Sequence, residues 1–257
     1  MEQDGKYLLR EDETLEDLQI GGLHIIQKKD AFRFGVDAVL LANFCKIKKG
    51  NSVVDLCSGT GIVPFIIAGK THPGYITGIE IQEEMVEMAQ RSTKLNKLED
   101  KIKFIQGDLR NMEILKSIDK ADVVTVNPPY KLYNSGIINC DSRNAIARHE
   151  ICCKLEDVII AAKEILNDNG RMYMVHRPER ISDILGIMRK YKIEPKVIRT
   201  VHSNSKKAPS MILVEGQNNG GVFLKWEPPL FIYNENGNYS EEIDAIYGRL
   251  KSNHEGE

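Results

Sequence analysis

From Asn51 onward, short apolar, β-branched runs alternate with helical stretches at a spacing that few folds accommodate. Strands are expected at 52–56, 75–81, 102–106, 121–126, 171–176, 195–202 and 210–215, and helices at 62–69, 83–96, 155–167 and 179–191. Strands separated by helices imply a parallel, doubly wound α/β sheet, because a parallel pair needs a crossover that a helix supplies. Leu166-Asn167-Asp168-Asn169-Gly170 reads as a helix C-cap feeding the fifth strand. The last two strands depart from the alternation. Only Ser203 to Pro209 joins them, too short for a crossover helix, so an antiparallel hairpin is expected there.

Ahead of the alternation, residues 1–20 are acidic and polar, with a loosely ordered start. Gly21-Gly22-Leu23-His24-Ile25-Ile26-Gln27 reads as a glycine turn and a short strand, with Phe32-Arg33-Phe34 as its hairpin partner. Val36 to Phe44 has helical spacing, and Asp37 at its start suits the helix dipole or a ligand. Beyond the last strand, Trp226-Glu227-Pro228-Pro229-Leu230 is expected as an extended cover and Ser240 to Leu250 as a short helix. The expected organisation is an N-terminal extension (1–45), a core domain (46–216) and a tail packed on the core (217–257). Residues 131–154 form an unusually long connection with little periodicity, a length typical of lids and binding loops.

Composition narrows the function. The 257 residues are 42% hydrophobic and 28% charged, as in an ordinary soluble protein, and no stretch suits a membrane span. An acidic N-terminus is unlike a secretory signal. Cys45, Cys57, Cys140, Cys152 and Cys153 show no C-x-x-C spacing, so a reduced cytoplasmic protein without a metal site is expected. Nothing in the sequence sets an oligomeric state. The net charge of −2 conceals an asymmetry: residues 171–210 hold ten Lys/Arg against three Asp/Glu. Such a segment is either one wall of an RNA cleft or a solvated face.

Three carboxylates fall at three consecutive strand ends. The first strand runs Val53-Val54-Asp55-Leu56 into Cys57-Ser58-Gly59-Thr60-Gly61 and then a helix. Glycines allow close backbone approach, and the helix start offers unpaired N–H groups. Pro64 stands where a dinucleotide fingerprint needs its third glycine, and Asp55 would repel a pyrophosphate. A carboxylate there favours a cationic amine or sulfonium, as in S-adenosylmethionine. Glu80, ending the second strand, can accept both hydroxyls of a ribose, and Asp108, after the third, can accept from an adenine amino group. Each alone also fits an exposed turn residue. Together they mark the carboxyl edge of the sheet.

After the fourth strand comes Asn127-Pro128-Pro129-Tyr130. Two prolines cannot continue a central strand, so the chain leaves the sheet abruptly. The Asn127 side-chain oxygen and the Pro128 carbonyl can grip an exocyclic –NH2 by both hydrogens, while Tyr130 stacks on its ring. A plain strand-ending turn is the competing reading of the tetrapeptide alone.

These residues resemble the class I S-adenosylmethionine-dependent methyltransferases that act on amines, marked by D-x-x-x-G-x-G and N-P-P-Y. Phe34-Gly35-Val36-Asp37-Ala38-Val39-Leu40-Leu41-Ala42 and Ala147-Arg148-His149-Glu150 are similar to the bacterial tRNA(Val) adenine-N6 methyltransferases, which modify the adenosine 3′ of the anticodon. The resemblance covers roughly residues 20–215. It implies a Rossmann-like sheet of seven strands, mostly parallel with the last antiparallel. It assigns cofactor contacts to Asp37, Asp55, Ser58, Gly59, Gly61, Glu80, Ile81, Asp108 and Leu109. Asn127, Pro128, Pro129 and Tyr130 become the catalytic set, with tRNA as partner. Arg33, Lys206 and Lys207 are expected at the RNA surface. N-P-P-Y also occurs in methyltransferases of DNA adenine and of release-factor glutamine. The short stretch before residue 52 disfavours the glutamine enzymes, which carry a helical N-terminal domain. A non-enzymatic RNA-binding protein on the same fold is the remaining alternative, disfavoured by the intact carboxylates and Asn127.

Overall fold

The computed structural model describes residues 8–29, 35–128 and 153–249. Its centre is a set of buried apolar strands: β3 (Ser52–Leu56), β4 (Tyr75–Glu80), β5 (Ile102–Gln106), β6 (Ala121–Val126), β7 (Leu166–His176), β8 (Ile193–His202) and β9 (Pro209–Asn218). They lie in the order β5-β4-β3-β6-β7-β9-β8, with β9 antiparallel to both neighbours and the other pairs parallel. The expected seven strands and the terminal hairpin are therefore present. Successive residues of one strand point to opposite faces. Val53 and Val123 enter one core layer, and Val54 and Val124 the other.

The first layer is covered by α1 (Val36–Phe44), α2 (Ile62–Lys70) and α3 (Glu83–Leu95), through residues such as Leu41, Ile66 and Ala89. The second is covered by α4 (Met112–Lys116), α5 (Leu155–Ile165) and α6 (Ile181–Lys190), through Leu115, Ile159 and Ile184. Each fully buried aliphatic side chain of this kind contributes about 1.5–3 kcal/mol by leaving water.

Several expectations at the element boundaries need correction. Helix α5 ends at Ile165, and its cap is extended Leu166, whose N–H donates to the Ala162 carbonyl, so residues 166–170 already belong to β7. The left-handed residue is Asn169, not Gly170, and a register shift against β6 absorbs the bend. Short helix α4 was not expected; the Asn111 side chain caps it by accepting from the Glu113 N–H. The tail does more than cover. Residues Lys225–Trp226 (β10) and Leu230–Phe231 (β11) pair parallel with β8, making a nine-stranded sheet among the described residues. Pro228 and Pro229 separate the two pieces because neither can donate to a ladder. The closing helix, α7 (Glu241–Ile246), starts at Ser240, whose hydroxyl accepts from the Ile243 N–H.

The N-terminal hairpin is also differently made. Strand β2 (His24–Lys28) pairs antiparallel with β1 (Glu13–Asp17), inside the acidic, polar stretch for which no strand was expected. Its other edge is taken by α3: the His24 N–H donates to the Asn96 side chain at 3.0 Å and the Ile26 N–H to the Ser92 hydroxyl at 2.9 Å. The expected partner Phe32-Arg33-Phe34 lies outside the described residues. What holds polar β1 is an ion pair. Arg91 of α3 donates from both terminal nitrogens to Glu13, at 2.6 and 2.7 Å, and the Glu13 side chain is 0% exposed.

Removing Arg91 strands a buried carboxylate, which costs about 3–5 kcal/mol. Arg91→Ala is expected to lower stability by about 3 kcal/mol in urea unfolding at neutral pH. Burial alone would raise the Glu13 carboxyl, but hydrogen bonds from Arg91 and the Arg10 N–H outweigh it and hold the group below its ordinary 4.5. The pair therefore stabilises the fold above that pH, and the difference between wild type and Arg91→Ala should shrink as the pH falls below it.

Candidate active site

The loop after β3 is shaped by three left-handed residues, Cys57 (φ 56°), Gly59 (φ 55°) and Gly61 (φ 88°), and Gly61 starts α2. Space at these glycines is used differently. A β-carbon on Gly59 would meet nothing within 4 Å, so the loop backbone is open to a ligand there. One on Gly61 would collide with the Phe104 ring. The same ring lies 2.5 Å from where a β-carbon of Gly78 would stand, and the Ser58 hydroxyl lies 2.6 Å from it. Phe104 on β5 thus wedges beneath the loop across a glycine in β4. Sequence reasoning missed both Gly78 and Phe104; an isolated glycine within an apolar strand run was the available signal.

Asp55 ends up inside the loop. It is 2% exposed and accepts hydrogen bonds from the Ser58 hydroxyl at 2.7 Å and from the Thr125 hydroxyl of β6 at 2.6 Å. Burial pushes its carboxyl up to about 7 against those two hydrogen bonds, and the Glu80 charge adds to the rise. Glu80, at the tip of β4, accepts from the Gly59 N–H at 2.9 Å and the Gln82 N–H at 3.1 Å. It faces the loop, and Ile81 beside it is an exposed apolar side chain. Ser58, Gly59, Gly61, Glu80 and Ile81 are thereby brought together.

Asp108, at the end of the third strand as expected, is paired locally. Its oxygens accept from the Arg110 guanidinium at 2.6 and 3.0 Å and from the Arg110 N–H at 2.9 Å, which holds the carboxyl below its usual range. It is a locally paired carboxylate at the end of β5, and Leu109 next to it is buried.

Asn127 follows β6 directly. Its Nδ2 donates to Asp37 Oδ2 at 3.2 Å, and Asp37 Oδ1 accepts from the Ala38 N–H at 2.9 Å. A carboxylate only accepts, so this contact fixes which end of the Asn127 amide is nitrogen and turns the oxygen the other way. Gly35 makes room: a β-carbon there would collide with Asp37 Oδ1. Asp37, expected among cofactor contacts, is placed against the Asn127 amide. Pro128 is buried; Pro129, Tyr130, Arg33 and the Ala147-Arg148-His149-Glu150 stretch lie outside the described residues.

Strand direction locates the basic segment. Strands β7 and β8 both run antiparallel to β9, so they end at one edge: His176 pairs with Ile212, and His202 with Pro209. The 203–208 turn, with exposed Lys206 and Lys207, therefore sits at the carboxyl edge that carries Glu80 and Asn127. His176, buried there and overlooked in the sequence, accepts from the Arg177 N–H at 2.8 Å; burial, helped by the Arg177 and Arg180 charges, pushes it down to about 4. Among the described residues there is no cluster of metal-ligating side chains and no helix long and apolar enough to cross a membrane.

This arrangement has relatives. A tRNA1(Val) (adenine(37)-N6)-methyltransferase of Porphyromonas gingivalis is 27% identical over 191 residues, 72% of this chain and 74% of that one. One of the same name from Histophilus somni is 26% identical over 232 residues, 87% of this chain and 92% of that one. Among solved structures, a predicted O-methyltransferase of Agrobacterium tumefaciens shares the fold with a TM-score of 0.66 at 20% identity, covering 83% of this chain and 97% of its own. Residues 47–220 match the family model described as a methyltransferase domain. The chain belongs to that methyltransferase-domain family, whose methyl donor is S-adenosylmethionine.

Proposed function

We propose that the protein methylates the exocyclic N6 amine of an adenosine in tRNA, the one beside the anticodon of tRNA(Val). The observation that carries this reading is the Asp37–Asn127 contact, which orients an amide oxygen next to a buried proline at the carboxyl edge. The names of the curated relatives support tRNA over a protein glutamine as substrate. Ser58, Gly59 and Gly61 would hold the donor, with Glu80 at its ribose, Ile81 against its adenine and Asp55 beneath the loop. Asp108 and Leu109 complete that side. When bound, the donor supplies an electrophilic methyl group on a sulfonium.

An aromatic amine is a poor nucleophile because its lone pair is shared with the ring. The Asn127 oxygen and the Pro128 carbonyl each accept one amine hydrogen and draw the nitrogen toward a pyramidal form, with its lone pair exposed. Pro129 stiffens the turn, Tyr130 stacks on the base, and Asp37 is a positioning residue acting through Asn127. This is orientation and electrostatic stabilisation without a covalent intermediate. The proton released on methylation passes to water. The direct test is incubation of unmodified tRNA(Val) transcript with protein and S-adenosylmethionine, followed by nucleoside mass spectrometry. N6-methyladenosine is the expected product, and methylation of another nucleoside or of none rejects the reading.

Asn127→Ala should lower the rate of methyl transfer by about 10²–10³-fold, the scale of one preorganised polar group. Asp37→Ala should lower it by about tenfold, since the oxygen stays while its orientation is lost. Calorimetry should find donor affinity nearly unchanged in Asn127→Ala.

Asp55 predicts a pH dependence. A cationic donor favours the ionised carboxylate, so its binding releases a proton below about pH 7. The ratio of wild-type to Asp55→Asn affinity should rise about tenfold from about pH 6 to about pH 8. For folding alone the sign is opposite. A carboxyl raised above its ordinary 3.8 contributes stability below that value, and the contribution is lost as the pH passes about 7.

Lys206→Ala with Lys207→Ala should weaken tRNA binding and reduce its salt slope by about 0.7–0.9 per lysine. Filter binding across a salt series measures this; an unaltered slope removes the turn from the RNA surface.

A further inference from the structure

We propose that Tyr233, Tyr239 and Tyr247, with Arg249 over them, form a stacking platform for the unpaired nucleotides next to the target adenosine. The proposal rests on tRNA being the substrate and goes beyond the amine clamp. It begins with strand direction. Strand β11 runs parallel to β8, so the chain beyond it emerges at the carboxyl edge, and the Tyr233 N–H donates to the Ser203 carbonyl at 2.8 Å. The first ring therefore starts beside the turn that carries Lys206 and Lys207.

A tight turn then returns the chain. Tyr233 and Tyr239 form an antiparallel bridge, and the Asn234 side chain accepts from the Asn236 and Asn238 N–H groups at 3.0 and 3.1 Å. This aligns the two rings at 5.4 Å and 15°. Helix α7 carries the chain onto α1, and Tyr247, just past its end, packs against the core layer that α1 covers. Burial raises the Tyr247 phenol, and the Asp37 charge is among the contributors, consistent with their proximity. Tyr239 and Tyr247 are 6.5 Å apart and 28° from parallel, and the Arg249 guanidinium lies 5.3 and 4.6 Å from their ring centres. The ladder thus runs from the basic turn toward α1, whose first turn carries Asp37.

Tyr233 and Tyr239 remain 40% and 42% exposed although their backbone is tied down. Aligned, half-exposed rings topped by a guanidinium match the flat faces of unstacked bases in a single-stranded RNA loop. The local charge agrees with stacking rather than phosphate binding. Glu241, Glu242 and Asp244 lie in the first turn of α7, and Glu242 is paired with Arg199 at 2.7 Å. The platform should accordingly add affinity without adding to the salt slope, unlike the lysine turn.

The test uses the full chain and a synthetic tRNA(Val) anticodon stem-loop carrying 2-aminopurine beside the target adenosine. Tyr239→Leu and Tyr233→Leu keep apolar volume but lose the flat face, and Tyr239→Phe keeps it. Each Leu variant is expected to weaken binding about tenfold, with an unchanged salt slope and unchanged donor affinity, while Tyr239→Phe stays within about twofold of wild type. Bound to wild type at saturation, the 2-aminopurine should be quenched, and less so on Tyr239→Leu. Equal affinity and quenching across these proteins would overturn the platform while leaving the substrate reading standing. Loss of binding in Tyr239→Phe as well as Tyr239→Leu would also overturn it, assigning the rings to tail packing. So would dissociation of a wild-type dimer by Tyr239→Leu in sedimentation, which would assign them to a self-contact. If wild type neither binds nor methylates the stem-loop or whole tRNA, both readings fall.

Discussion

The buried Asp55 carboxylate ties the glycine loop after β3 to the end of β6, which leads to Asn127. One oxygen accepts from Ser58 in the glycine loop, the other from Thr125, two residues before Asn127. Strands β3 and β6 are neighbours; the chain leaves β3 to build β4 and β5 on one side and then crosses back to β6 on the other, so this bond sits where the strand order reverses. Open α/β sheets bind ligands at such a point because the loops diverge and leave a crevice. A carboxylate in that position is costly to ionise, as its shift to about 7 records. Its two hydroxyl donors limit that cost and fix the distance between the loop and the clamp. Methyl transfer in line needs donor and acceptor held within a fraction of an ångström, and this short bridge of side chains supplies the common reference.

The carboxyl edge gains a second wall from one reversal of chain direction. Because β9 runs against its neighbours, the β8–β9 turn returns to the edge where the parallel strands end. Strand β11 then copies the direction of β8 and delivers the tail to the same place. A fully parallel sheet would have sent the connection after β8 across the sheet face to the opposite edge. The antiparallel strand is thus the reason that basic and aromatic residues remote in sequence can share one surface with Glu80 and Asn127.

Much of this was legible in the sequence, for local reasons. Buried parallel strands must be apolar on both faces, so Val53-Val54 and Val123-Val124 announce themselves, and four of the seven core strands begin where the pattern places them. The loop glycines and strand-end carboxylates follow from spacing. What was not legible depends on partners far away in the chain. Strand β1 is polar because an ion pair, not apolar burial, holds Glu13 to Arg91. Thr125 looks like any β-branched strand residue until Asp55 is found beside it. Gly78 matters only because Phe104 crosses it. Asp37 was read as a cofactor contact because its own helix start suggests a ligand; its partner, Asn127, lies ninety positions on. The Asp108–Arg110 pair is a local one, since one residue separates its partners.

A net charge of −2 is compatible with a basic surface because several acidic residues are paired within the protein, some of them far from the basic turn. Glu13 and Glu87 bind Arg91, Asp12 and Glu84 bind Lys28, and Glu242 binds Arg199. The first two groups lie around β1, β2 and α3, on the flank of the sheet away from the β8–β9 turn. Paired charges cancel beyond a few ångströms, and what remains is screened over about 8–10 Å at physiological salt. A polyanion at the carboxyl edge would therefore meet the local field of Lys206 and Lys207 rather than the average of the whole chain. The same screening limits how far that field reaches. On the proposed reading, charge brings the RNA to the edge and sets its salt dependence, while choosing one adenosine among its neighbours falls to contacts of a few ångströms: the amide oxygen of Asn127 and the faces of the aromatic rings.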